Sequence, residues 1–105
     1  AKRSSGPVGT PLWMSPELLS DGEHFDEKVD VYAYAIVLWE LLMREDPLRD
    51  IKSFSQLVDF ICVRRQRPAL PQHGVCAALR ALITDCWRHE PDARPSFTDI
   101  LARLT

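Results

Sequence analysis

Apolar positions along the chain fall into blocks of different period, and each period predicts an element. From residue 29 to 43 nearly every position is apolar: Val29, Val31, Tyr32, Ala33, Tyr34, Ala35, Ile36, Val37, Leu38, Trp39, Leu41 and Leu42. A surface helix keeps a polar face, so a helix apolar all round needs cover on every side. The β-branched residues would suit a strand, but the length of the run favours a helix through the middle of a domain. Asp26 and Glu27 open it by capping and by charge at the positive end of the dipole. Glu45-Asp46-Pro47 closes it.

The other blocks are shorter. Residues 1–12 are rich in Gly, Pro, Ser and Thr and predict an exposed loop. Ser15-Pro16 predicts a short helix to Leu19, with Ser15 as N-cap and Pro16 where its missing N–H costs nothing. Ser53-Phe54-Ser55-Gln56 has the form of a capping box and predicts a helix to about Val63. Pro68 and Pro71 bracket an extended link. Over residues 75–88, Val75, Leu79, Leu82, Ile83 and Cys86 recur at helical spacing and predict an amphipathic helix. Ser96 then caps a last helix with Phe97, Ile100, Leu101 and Leu104 as its apolar face. With no hairpin signal and no internal repeat, the pattern predicts a mainly α fold.

Composition narrows the chemistry. The 105 residues suffice for one small domain, and 46% hydrophobic with 27% charged residues is globular composition. A net charge of -2 gives no reason to expect a nucleic-acid partner. The basic run Arg64, Arg65 and Arg67 reads as a solvated face. Cys62, Cys76 and Cys86, an odd number without a CxxC pair, show no ligand spacing with His24, His73 or His89. No metal site is expected, and the three thiols read as core-filling and reduced, in a cytoplasmic or nuclear setting. No apolar run reaches the roughly 20 residues that a bilayer demands, so no membrane association is expected. The chain begins in mid-loop without Met, as a piece cut from a longer protein would.

Four motifs add a resemblance. Gly9-Thr10-Pro11-Leu12-Trp13-Met14-Ser15-Pro16-Glu17 resembles the end of a protein-kinase activation segment, with S-P-E where the family writes A-P-E. Asp30 to Leu41 resembles the D-V-Y-S-F-G-I-V-L-W-E-L helix at the centre of the kinase C-lobe, with Ala35 in place of the usual Gly. Arg67-Pro68-Ala69-Leu70-Pro71 resembles the R-P-x-x-P link, and Cys86 to Phe97 resembles C-W-x-x-D-P-x-x-R-P-S-F. Their order and spacing are the family's, and G-T-P-L-W-M resembles the tyrosine-kinase-like group of Ser/Thr kinases.

The resemblance implies the helical C-lobe portion of an α+β kinase domain. Residues 1–19 would be the end of the activation segment and the substrate loop, and 26–105 the helical body. It implies transfer of the ATP γ-phosphoryl group to Ser or Thr of a protein substrate. ATP and Mg2+ would be held by the rest of the domain, since no G-x-G-x-x-G, H-R-D or D-F-G occurs here. No catalytic residue is therefore expected within this chain. Gly9, Thr10, Pro11 and Trp13 would receive the substrate, with Thr10 supporting the catalytic Asp. Asp30 would anchor the catalytic loop. Glu17 and Arg94 would form a buried ion pair, for which a guanidinium's planar fork is suited. Ser4 and Ser5, beside Lys2-Arg3, are candidate phosphorylation sites that pairing with arginines would order. A simple cap at Asp30 and unmodified serines at 4 and 5 remain open. So does a non-catalytic helical module, or pseudokinase remnant, for the whole.

Overall fold

A computed structural model describes residues 12–20 and 26–105. Among them the regular elements are helical: α1 (Pro16–Ser20), α2 (Glu27–Met43), α3 (Phe54–Val58), α4 (Ala77–Cys86) and α5 (Phe97–Leu104). Two single turns join them, a π-helical one at Asp59–Val63 and a 3-10 one at Pro91–Ala93.

Local chemistry accounts for most boundaries. The Asp26 carboxylate accepts the Lys28 N–H at 2.8 Å and starts α2. Arg44 ends it in the left-handed conformation, φ 55°, donating its N–H to the Glu40 carbonyl at 2.7 Å. Ser53 and Ser96 cap α3 and α5 through their hydroxyls. The box at Ser53 differs from expectation on one arm, because the Gln56 side chain accepts from the Lys52 N–H, one residue further back. Ser15 makes no capping bond with its side chain; its carbonyl accepts the Leu19 N–H at 3.0 Å.

The helix expected over 53–63 changes character halfway. Regular turns stop at Val58, and the Arg64 N–H then reaches the Asp59 carbonyl at 2.9 Å. Arg65, at φ 54°, reverses the chain so that the Gln66 N–H bonds the Phe60 carbonyl at 2.8 Å. The expected 75–88 helix is shorter, Ala77–Cys86, with Val75 in the preceding link.

Two apolar clusters hold these elements. In the first, Val31, Tyr32, Ala35, Ile36 and Trp39 of α2 pack on Leu82, Ile83 and Cys86 of α4, with Trp87 and Ile100. Burying such side chains fully contributes about 1.5–3 kcal/mol each. In the second, Leu12 and Leu19 meet Leu48, Ile51, Leu57 and Ile61. The Trp39 indole donates to the Ala69 carbonyl at 2.8 Å and pins the extended link against α2.

Helix α2 needs cover on every side and the described residues supply only part of it: Tyr34, Leu38, Leu42 and Met43 are half-buried against the first cluster, and Leu41 is 70% exposed. Two expectations about burial are corrected. On α5 only Ile100 is buried, while Phe97, Leu101 and Leu104 face solvent. Cysteine burial also divides, with Cys86 buried, Cys62 half-buried and Cys76 exposed. No helix of the described residues is long and apolar enough to cross a membrane.

Candidate functional site at the α1 to α5 junction

Glu17 lies in the first turn of α1, where a carboxylate suits the positive end of the helix. Arg94 lies 77 positions later, in the link between α4 and α5. The 3-10 turn with Pro91 at its start aims that link, and the Arg94 N–H closes it on the Pro91 carbonyl at 3.1 Å.

The two side chains meet fork to fork. Arg94 Nη1 donates to Glu17 Oε2 at 2.7 Å, and Nη2 donates to Oε1 at 2.8 Å. The remaining donors go to carbonyls: Nη1 to Lys28 at 2.9 Å, Nη2 to His89 at 3.2 Å, and Nε to Arg88 at 2.8 Å. A guanidinium has five N–H donors, and all are used. That count explains how a side chain with no exposed surface can carry a full charge here. Lys28 closes the loop from the other side, its Nζ donating to the Arg94 carbonyl at 2.9 Å. Burial, the largest single influence, pushes the Glu17 carboxyl up, but the Arg94 hydrogen bonds, a backbone N–H and the Arg94 charge act together against it, and the carboxyl is held below its ordinary value.

Tyr32 lies beside the pair, fully buried, with the Arg94 guanidinium carbon 5.3 Å from its ring centroid. The Arg67 guanidinium carbon stands at the same distance from that ring. Burial pushes the phenol up to about 12, so the ring stays neutral and offers its faces to cations. Among the described residues its hydroxyl has no hydrogen-bond partner.

Arg67 corrects the reading of 64–67 as a solvated run. Arg64 and Arg65 are exposed, but Arg67 turns inward. Its Nε donates to the Trp87 carbonyl at 2.8 Å, and its Nη1 donates to the carbonyls of Ile61 at 3.2 Å and Gln66 at 2.8 Å. Burial first, and then the charge of Arg94, draw this guanidinium below its ordinary value. Sequence reasoning missed Arg67, Tyr32 and Lys28. The signal for Arg67 was its place before Pro68, in a link that returns beside an aromatic-bearing helix.

The other residues singled out from the sequence lie apart from this junction. Trp13 is 44% exposed and follows buried Leu12. Asp30 sits in the first turn of α2, exposed, and takes no hydrogen bond from the described residues. Gly9, Thr10, Pro11, Ser4 and Ser5 lie outside the described residues. Among those described, no three His, Cys, Asp or Glu side chains are grouped so that they could hold a metal ion.

Comparison with known proteins gives the arrangement its context. A family model described as protein tyrosine and serine/threonine kinase matches residues 2–104. In Dictyostelium discoideum, the dual specificity protein kinase shkD is 45% identical over 96 residues, covering 91% of this chain and 13% of that protein. The probable serine/threonine-protein kinase drkC is 44% identical over 103 residues, 98% of this chain and 13% of its own length. For the dual specificity protein kinase shkC the values are 41% over 103 residues, 98% and 20%. The chain thus spans a fifth or less of these curated relatives.

Proposed function

Because this chain belongs to the protein tyrosine and serine/threonine kinase family, we propose that it serves as the substrate-side scaffold of a catalytic domain that phosphorylates protein Ser and Thr. The bidentate pair of Arg94 with Glu17 carries the proposal, at 2.7 and 2.8 Å. It ties the stretch that ends the substrate loop to the helical body, and phosphoryl transfer depends chiefly on positioning. Gly9, Thr10, Pro11 and Trp13 receive the acceptor segment, Thr10 supports the catalytic Asp, and Asp30 offers its free carboxylate to the catalytic loop. ATP and Mg2+ act from the remainder of the domain. Phosphorylation of Ser4 or Ser5 regulates the loop, and the protein works in the cytoplasm or nucleus.

In the reaction, the acceptor hydroxyl bonds the γ-phosphorus as the bond to ADP breaks, and the hydroxyl proton passes to the catalytic Asp that the remainder of the domain would supply. The test is to incubate the complete domain with Mg-ATP and peptides bearing Ser, Thr or Tyr, then identify the phosphorylated residue. Phosphoserine and phosphothreonine are expected, and phosphotyrosine beside them would extend the reading to dual specificity. A folded complete domain that transfers no phosphate would overturn it in favour of a non-catalytic helical module. The 105-residue chain alone is expected to show no saturable binding of Mg-ATP by calorimetric titration.

A further inference from the structure

Three consecutive carbonyls follow α4, those of Trp87, Arg88 and His89. All three are taken by guanidinium groups: Trp87 by Arg67, and Arg88 and His89 by Arg94. The same two guanidinium groups lie 5.3 Å from the Tyr32 ring centroid. A buried and a half-buried cation beside one ring repel each other unless something negative lies beside both. The ring and the row of carbonyls supply that, and both arginines share them. Arg67 also holds the far end of the arrangement, binding the carbonyls of Ile61 and Gln66 where the π turn unwinds.

The geometry assigns Arg67 as a positioning residue: it sets the carbonyl row and the Tyr32 ring that orient Arg94, and through Arg94 it fixes Glu17 and α1. Arg67 touches neither Glu17 nor, on the reading above, the substrate. Its influence runs through one shared ring and one turn of backbone. The inference rests on the proposed kinase role only for its consequence in catalysis; the coupling itself is a property of this fold.

Hydrogen exchange tests the coupling without needing activity. The Leu19 N–H, bonded to the Ser15 carbonyl at 3.0 Å, reports on α1. The amides of Leu82 and Ile83 in α4 report on the core. Arg67→Lys keeps charge and stem but loses the fork. In the complete domain it is expected to speed Leu19 exchange about tenfold, within the usual coupling inside one network. Leu82 and Ile83 should be unchanged. In a Glu17→Gln background the same substitution should change Leu19 exchange less than about twofold, because the path to α1 is already cut.

An equal acceleration in both backgrounds overturns the assignment. So does no acceleration at Leu19, or a matching acceleration at Leu82 and Ile83, which would mean general loosening. Should Arg67→Lys fail to fold, Tyr32→Leu removes the shared ring while leaving both cations and should give the same background-dependent result. Peptide kinetics supply the functional arm. Arg67→Lys should raise the KM for peptide about fivefold and leave that for ATP within about twofold. Absence of phosphoryl transfer in the unsubstituted domain would sink the kinase reading and leave the exchange result standing.

Discussion

Arg94 shows how much of a residue's role depends on where its donors point. All five N–H groups are engaged and the side chain has no exposed surface. Lysine keeps the charge but offers three donors and no fork, so Arg94→Lys strands part of the Glu17 carboxylate. Arg94→Lys and Glu17→Gln are each expected to lower stability by about 2–4 kcal/mol, somewhat under the cost of breaking a fully buried pair, because the Glu17 side chain keeps 17% of its surface exposed. Denaturant melts check this. The acid dependence follows from Glu17, whose folded value lies below the ordinary 4.5. A depressed carboxyl contributes stability that is present above the unfolded value and lost as pH falls through the folded one. The deficit of Glu17→Gln relative to the unsubstituted protein should therefore narrow as pH falls below 4.5. Cysteines give a second residue-scale test. Burial pushes the Cys86 thiol up to about 11, whereas Cys76 is exposed. Iodoacetamide at neutral pH should label Cys76 first and Cys86 only on unfolding, as read by peptide mass mapping.

At the scale of elements, the ends of helices were easier to read than their interiors. Asp26, Ser53 and Ser96 cap where short polar side chains precede an apolar run, because the bond is local and needs no distant partner. Ser96→Ala should cost about 1 kcal/mol by thermal melting. Arg44 is the converse case. It ends α2 at φ 55°, a conformation that a side chain disfavours and glycine adopts freely. Arg44→Gly should raise stability by about 0.5 kcal/mol, measured in the same melts. The π turn at 59–63 has no comparable local signal. It forms where Ile61 must enter the cluster beneath α1 while Arg67 gathers the carbonyls of Ile61 and Gln66, and both demands come from elsewhere in the chain.

For the whole molecule, the apolar surface is the main consequence. Leu41, Leu101 and Leu104 are 70%, 64% and 56% exposed, and Phe97 packs edge-on against half-buried Tyr34. Exposed apolar patches bind dyes and promote association. The isolated 105-residue chain should enhance ANS fluorescence and elute larger than a monomer. A compact, monomeric, dye-silent chain would favour a self-sufficient module over a piece of a larger domain.

Sequence alone determined where the helices lie, the caps at Asp26, Ser53 and Ser96 and the four motifs, because period and capping are local properties written in neighbouring residues. It also led to Glu17 and Arg94, although only through the order and spacing of motifs that resemble a family. Tertiary structure alone decided which apolar residues are covered. The apolar face of α5 reads as core, yet only Ile100 is buried, and Phe97 meets the Tyr34 ring while staying exposed. Arg67 reads as one of three solvated arginines, yet it is the one drawn inward. Its partners are carbonyls at 61, 66 and 87 and a ring at 32, and backbone acceptors leave no trace in composition or charge pattern. Which carbonyls a guanidinium meets is fixed only when distant turns of the chain pack together.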